Sequence, residues 1–203
     1  MRDLDKALTD IKAMRSQIAR STEFRGYGPA AFATTGVIAI LAALAQAQFV
    51  GQPEKDILRY LGIWIAAAAL SATVIGVDVV TRARRVHSGF ADEMIQSALE
   101  QLVPSMVAGA LLTIVLLCYA PRSVWMLPGL WQIVLSLGVF ACRMLPAPLM
   151  AVGMWYLSSG LLCLAFASGD QALSPWAMGA PFGIGQVFTA ILIHFVRAPD
   201  AQD

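Results

Sequence analysis

The chain has 203 residues, of which 58% are hydrophobic and only 13% are charged. Soluble domains are ordinarily less than half apolar and about a quarter charged, and a soluble fold of this size cannot hide so much apolar surface from water. The formal net charge of +1 gives no overall field that favours nucleic acid. Composition therefore excludes an ordinary soluble domain and predicts an integral membrane protein.

Six apolar segments have the length needed to cross a bilayer, about 20 residues. They cover residues 29–49, 60–80, 102–120, 124–142, 147–167 and 175–196. The short third connection, 121–123, predicts a tight helical hairpin. Pro175 and Pro181 predict an irregular or kinked start of the sixth segment, so a five-span or re-entrant alternative stays open. The prediction is an all-α bundle of six transmembrane helices over residues 28–197.

Two stretches outside the spans carry helical apolar stripes. Residues 1–27, before the first span, are predicted to contain an amphipathic helix, whose mixed charge suits protein contact at least as well as a membrane surface. It could lie on the membrane, pack on the helix that leads into the third span, or bind a partner, and packing within the protein is favoured. Residues 88–101 carry a similar stripe and lead directly into the third span, which predicts one long helix with a kink at Pro104. The stripes comprise Leu4, Leu8, Ile11, Met14 and Ile18, and Phe90, Met94, Ile95, Ala98 and Leu99.

Basic residues set the expected orientation, because Lys and Arg concentrate in cytoplasmic loops. With the N-terminus inside, eleven of the 14 Lys and Arg residues are cytoplasmic: Arg2, Lys6, Lys12, Arg15, Arg20, Arg25, Arg82, Arg84, Arg85, Arg143 and Arg197. Only Lys55, Arg59 and Arg122 fall on the other side. Residues 1–28 contain no apolar signal-peptide core, so the first span is expected to direct insertion. Both termini, including a short tail at 198–203, are predicted to be cytoplasmic.

Asp78 is the only acidic residue within a clear span. A carboxylate in hydrocarbon is by default a hypothesis for an ion or proton site. Arg82 follows four residues later, however, which is the spacing of an ion pair on one helix face. A structural pair at the inner interface is therefore favoured over a functional acid.

Neutral polar and small side chains within the spans allow two interpretations. Gln132, Ser136, Gln186 and Thr189 could line a polar pathway or bridge helices by hydrogen bonds, and the sequence does not separate these options. Gly179 and Gly183 form a GxxxG pattern, which serves either a dimer interface or packing between helices of one subunit. Packing within the subunit is the favoured interpretation.

Histidine and cysteine give no pattern typical of a metal site. His194 lies in the last turn of the sixth segment and His87 in an inner loop, and two histidines without an accompanying ligand motif are weak support for a metal. His194 is therefore interpreted as an interfacial residue. Cys118, Cys142 and Cys163 are interpreted as buried thiols that act as small hydrophobes. No cofactor and no metal are predicted.

The segment Leu157-Ser158-Ser159-Gly160 resembles the Gly-x-Ser-Gly element of rhomboid intramembrane proteases, in which the serine pairs with a histidine. Leu157 replaces the first glycine. In the predicted topology Ser159 lies about 18 Å deep, whereas His194 lies about 5 Å from the inner end of its span. A catalytic pair needs hydrogen-bond reach, about 3 Å, so this dyad is not expected.

The chain as a whole resembles a group of uncharacterised six-span bacterial inner-membrane proteins. The resemblance is carried by Met1-Arg2-Asp3-Leu4-Asp5-Lys6-Ala7-Leu8, by Glu23-Phe24-Arg25-Gly26-Tyr27-Gly28-Pro29, and by Leu173-Ser174-Pro175-Trp176-Ala177-Met178-Gly179 with Pro181-Phe182-Gly183-Ile184-Gly185-Gln186. It implies a location in a bacterial inner membrane and no activity.

Three classes of function stay open. The first is a non-catalytic sensor or regulator that contacts a cytoplasmic protein through residues 1–27 and 82–101, and it is favoured because the ordered polar material lies on the inner side. The second is a small transporter or channel subunit, expected to be oligomeric, with Asp78, Gln132 and Gln186 as pathway residues. An intramembrane enzyme ranks last, because no nucleophile, base or metal set is apparent.

Overall fold

The computed structural model describes residues 28–86, 91–141, 147–166 and 171–197, with backbone alone at 82–86, 91–102 and 197. The predicted N-terminal helix, the tail at 198–203, and the side chains of Arg82 and His87 lie outside the described residues. Within the described part every regular element is helical. The predicted all-α class is confirmed.

Six α-helices and two 3-10 turns make up the described part. The helices are α1 (Pro29–Phe49), α2 (Ile57–Val86), α3 (Ala91–Tyr119), α4 (Leu127–Ala141), α5 (Met150–Phe166) and α6 (Pro175–Arg197). The 3-10 turns Pro121–Met126 and Ala147–Leu149 lead into α4 and α5.

Five helical stretches are long and apolar enough to cross a membrane: Pro29–Phe49, Ile57–Thr81, Pro121–Ala141, Ala147–Phe166 and Pro175–Val196. A shorter apolar stretch, Val103–Tyr119, belongs to α3. Because α3 has 29 residues, it is about 44 Å long and exceeds the hydrocarbon thickness of about 30 Å. The prediction of one long helix that continues beyond the third apolar segment is thus confirmed, and Pro104 lies inside it.

The ends of the helices follow from local sequence. Pro29 opens α1, where its missing N–H and fixed φ suit the first helical position. The hairpin between α3 and α4 turns at Ala120, whose N–H donates to the carbonyl of Leu116, and the 3-10 turn begins at Pro121. Of the two predicted forms of the start of the last span, irregular or kinked, the irregular form is wrong, because α6 runs as one α-helix from Pro175 through Pro181.

The helices form a closed series in which each contacts the next in sequence and α6 returns to α1. The α1–α6 contact is antiparallel and close, because glycines of α6 face α1. A Cβ added at Gly179 would lie 2.5 Å from the Cβ of Ala43, and one added at Gly183 would lie 2.7 Å from the Cδ1 of Ile40. The GxxxG pattern therefore serves packing within the chain, in agreement with the favoured interpretation.

This antiparallel order gives the bundle two ends. The Gly28 end is the one at which α1 begins and α5 begins, and the Phe49 end is the one at which α1 stops and α6 begins. Buried side chains form one cluster toward the Phe49 end and a second toward the Gly28 end. The first includes Tyr60, Trp64, Leu127 and Met178; the second includes Leu149, Val152, Tyr156 and Ile193.

Candidate functional site

Gln46 joins three parts of the bundle near the Phe49 end. Its Nε2 donates to the backbone carbonyl of Leu173 over 2.6 Å, and its Oε1 accepts from the indole Nε1 of Trp64 over 2.7 Å. The Gln46 side chain is fully buried. In hydrocarbon such bonds hold helices together, because water is not there to compete. Sequence analysis missed this network, although a single glutamine on an apolar helix face was a signal for it.

Gln132 bridges α4 to α6 at the position where a proline interrupts the α6 hydrogen-bond ladder. Pro181 has no N–H, so it cannot donate to the carbonyl of Ala177 four residues earlier. Gln132 Nε2 donates to that carbonyl over 3.0 Å and also to the carbonyl of Pro128 over 3.0 Å. The polar group on α4 therefore satisfies the backbone acceptor that the proline leaves open.

Two indole groups make similar contacts between helices. Trp155 on α5 donates from Nε1 to the carbonyl of Pro181 over 2.9 Å. Trp131 on α4 donates to the hydroxyl of Thr113 on α3 over 2.9 Å, and Thr113 in turn donates to the carbonyl of Gly109. Ser136 and Thr189 bond only to carbonyls of their own helices among the described residues. Most neutral polar groups of the spans therefore act as structural bridges or self-satisfied groups.

Four buried polar atoms have no hydrogen-bond partner among the described residues. They are the hydroxyl oxygens of Tyr60 and Tyr156 and the side-chain carbonyl oxygens of Gln132 and Gln186. Buried polar groups are nearly always paired, so each exception requires an explanation such as a bound molecule. Two of the four, Gln132 and Gln186, were predicted as pathway residues, whereas neither tyrosine was recognised from the sequence.

Asp78 contacts the start of α1. Its Oδ2 accepts a hydrogen bond from the backbone N–H of Gly28 over 2.6 Å. Gly28 is the N-cap of α1 and has no side chain to cap the helix, so a carboxylate from α2 occupies the end at which the helix dipole favours negative charge. This contact gives Asp78 a structural partner that sequence analysis did not foresee. The predicted pair with Arg82 lies outside the described side chains.

His194 and Ser159 lie on different levels of the bundle. The Tyr156 hydroxyl of α5 lies against Gly185 of α6; Ser159 is farther toward the Phe49 end and His194 farther toward the Gly28 end. Counting residues along the two helices separates them by more than about 15 Å. The Ser159 hydroxyl donates to the carbonyl of Tyr156 in its own helix. These two residues do not form a dyad.

His194 is exposed, and its ring lies 5.9 Å from that of Phe195. Cys118 is an exposed free thiol and Cys163 a half-buried one, which corrects the expectation that both are buried; Cys142 lies outside the described residues. Within the described ranges, no group of three or more His, Cys, Asp or Glu side chains is placed to hold a metal ion.

Comparison of the chain with known protein families, with curated proteins and with solved structures gives no match. The class of protein therefore rests on the fold itself. The long apolar helices and their polar cross-links fit a multi-pass α-helical membrane protein.

Proposed function

We propose that the chain is a non-catalytic regulatory protein of a bacterial inner membrane, with both termini in the cytoplasm, which binds a cytoplasmic protein through residues 1–27 and 82–101. The hydrogen bond between Asp78 and Gly28 carries the proposal. Gly28 is the first residue after the N-terminal segment, and Asp78 precedes the second segment by one helical turn. Both segments thus enter the bundle at one point.

A contact of this kind couples the two segments. If a partner displaces residues 1–27, the N-terminus of α1 moves relative to the Asp78 carboxylate, and the energy of their charge-assisted bond changes. The same change reaches α6, because α1 packs closely along it through Ala43 and Gly179. A signal in the opposite direction follows the same contacts, since coupling between two sites is reciprocal.

The experiment compares co-purification from membranes by the full chain, a chain lacking residues 1–20, and the Asp78→Ala variant. We expect one cytoplasmic protein to be lost with the deletion and to be retained less well by Asp78→Ala, while all three chains elute as monodisperse bundles in detergent. Asp78→Asn is the matched control, because its side-chain carbonyl can still accept from Gly28. If all chains retain the same proteins, the regulatory proposal is wrong.

The orientation is tested with single cysteines placed in the two groups of loops. Arg84→Cys is expected to react with a membrane-impermeant maleimide only after the membrane is permeabilised, whereas Lys55→Cys reacts in intact cells. Both are built on a background in which the native cysteines are replaced by serine. Labelling of Arg84→Cys in intact cells would reverse the proposed topology.

A small transporter or channel subunit is the second candidate, and the unpaired carbonyl oxygens of Gln132 and Gln186 favour it. Against an open pathway, Gln132 is fully buried and bonded to two backbone carbonyls. The test is flux through liposomes that contain the purified chain. If Asp78→Asn assembles normally but abolishes a proton- or ion-dependent flux, transport replaces regulation as the function.

A further inference from the structure

Tyr156 and Gln186 bring two unpaired polar atoms to the same turn of α6. The Tyr156 hydroxyl oxygen lies 2.6 Å from the position of a Cβ added at Gly185, and Gln186 is the next residue. The Tyr156 ring is held in place by Phe182, whose centroid lies 5.3 Å away. Neither the Tyr156 hydroxyl nor the Gln186 carbonyl oxygen has a hydrogen-bond partner among the described residues.

Helical geometry directs both groups toward the interior of the bundle. At 100° per residue, Gln186 lies near the centre of the arc of α6 that is bounded by the buried residues Gly185 and Gly183 and includes Ile193. The Gln186 Cβ is also close to Gly36 of α1. Tyr156 of α5 thus meets α6 at Gly185, and the adjacent Gln186 meets α1 at Gly36.

The level of these atoms is near the middle of the membrane. Tyr156 precedes the end of α5 at Phe166 by ten residues, or about 15 Å, and Gln186 follows the start of α6 at Pro175 by eleven, or about 17 Å. A polar atom without a partner is most costly at this depth, because lipid tails offer no hydrogen bonds.

The chemistry of the pair defines what can bind. A phenol donates a hydrogen bond and an amide carbonyl accepts one, so one molecule with an acceptor and a donor satisfies both. The described charged side chains, such as Asp56, Arg59, Asp78 and Arg122, lie in the loops or toward the two ends of the bundle, where Asp78 contacts Gly28. A charged ligand would therefore have no counter-charge at this level among the described residues.

We propose that Tyr156 and Gln186 form a binding site for a small neutral molecule that both accepts and donates a hydrogen bond, of which water is the smallest. Gly185 is part of the site, because any side chain there would displace the phenol. The site does not depend on the cytoplasmic partner proposed above, and it would persist if no such partner existed.

The test is a double-mutant cycle on the thermal unfolding of the purified full chain in lipid nanodiscs. Tyr156→Phe keeps the ring on Phe182, and Gln186→Met keeps the length of the side chain. If one molecule links the two groups, each single variant lowers the apparent Tm by about 2–4 °C, the shift that corresponds to the loss of one such bridge in a chain of this size. The double variant then has the same apparent Tm as the less stable of the two single variants, because either single substitution already removes the bridge.

Tyr60→Phe is the matched control. It also removes a buried, unpaired phenol, but Tyr60 lies near the start of α2 at the Phe49 end. Its effect is expected to add to that of Gln186→Met without coupling.

Added glycerol tests whether the bound molecule is water or an exchangeable solute. Sucrose at equal mass concentration is the reference for general effects of a cosolvent on the Tm. If glycerol raises the Tm of the wild-type chain more than that of Tyr156→Phe, the occupant is an exchangeable solute; if it raises both equally, the occupant is water. The proposal is overturned if Tyr156→Phe and Gln186→Met each raise the Tm, since removal of a group that is truly unpaired is stabilising. It is also overturned if their effects simply add.

Discussion

The contact between Gln132 and the α6 backbone predicts that the effect of removing Gln132 depends on Pro181. In the wild-type chain, Gln132→Met leaves the Ala177 carbonyl without a donor, because Pro181 has no N–H. In a Pro181→Ala chain, the restored N–H of residue 181 can bond to that carbonyl within the helix. The same substitution at position 132 is then expected to cost less.

The magnitude follows from the groups that lose partners. A buried acceptor left unsatisfied costs about 1–3 kcal/mol in general, whereas hydrogen bonds between membrane helices average about 0.6 kcal/mol and reach about 1.7 kcal/mol. We expect a coupling of about 1 kcal/mol between positions 132 and 181, which corresponds to about 2–4 °C in apparent Tm. Gln132→Met also removes the unpaired Oε1 of Gln132, but this contribution is present in both backgrounds and cancels in the cycle.

The assay is thermal unfolding of the four chains in one detergent, followed by the fluorescence of the native tryptophans. Trp155, which bonds to the Pro181 carbonyl, supplies a local signal. Equal destabilisation by Gln132→Met with and without Pro181 would show that Gln132 does not serve the carbonyl that the proline exposes, and the explanation of the unbroken α6 would fail.

Two further predictions use matched controls. Gln46→Leu is expected to lower the free energy of unfolding by about 2 kcal/mol, because the indole N–H and the backbone carbonyl that it joins both lose their partner; Gln48→Leu, at an exposed position of α1, should change it little, and equal effects in chemical unfolding would contradict this reasoning. Gly179→Ala is expected to destabilise by about 1–3 kcal/mol through its contact with Ala43, whereas Gly76→Ala, with open space around it, should be neutral or stabilising. If Gly179→Ala instead changes only the oligomeric state in size-exclusion chromatography, the GxxxG pattern is an interface between subunits.

Hydropathy was sufficient to predict the helices but not the polar contacts between them. The first apolar segment matches α1 from Pro29 to Phe49, since length and apolar content are local properties that the bilayer selects directly. The partners of Gln46 are a tryptophan 18 residues away and a carbonyl 127 residues away. Such pairs depend on which helix faces which, and one sequence does not contain that information.

The hydrogen bond of Asp78 to Gly28 was also beyond prediction from local sequence. Spacing along one helix predicted Arg82 as the partner of Asp78, because positions four residues apart share a face. One observed partner is the Gly28 N–H, 50 positions earlier in the chain. Nothing in the identity of either residue indicates that this backbone donor and this carboxylate will meet. Spacing rules along one helix therefore do not predict this contact between helices.

The unbroken course of α6 explains why two separate features of the sequence belong together. A proline inside a helix removes one hydrogen bond and strains the preceding turn, and in lipid the freed carbonyl has no water to bond. Gln132 and Trp155 donate to the carbonyls of Ala177 and Pro181 from two neighbouring helices. The Gln132 side chain of α4 therefore supplies the donor that Pro181 lacks, and Trp155 of α5 adds a second contact to the same part of this continuous helix.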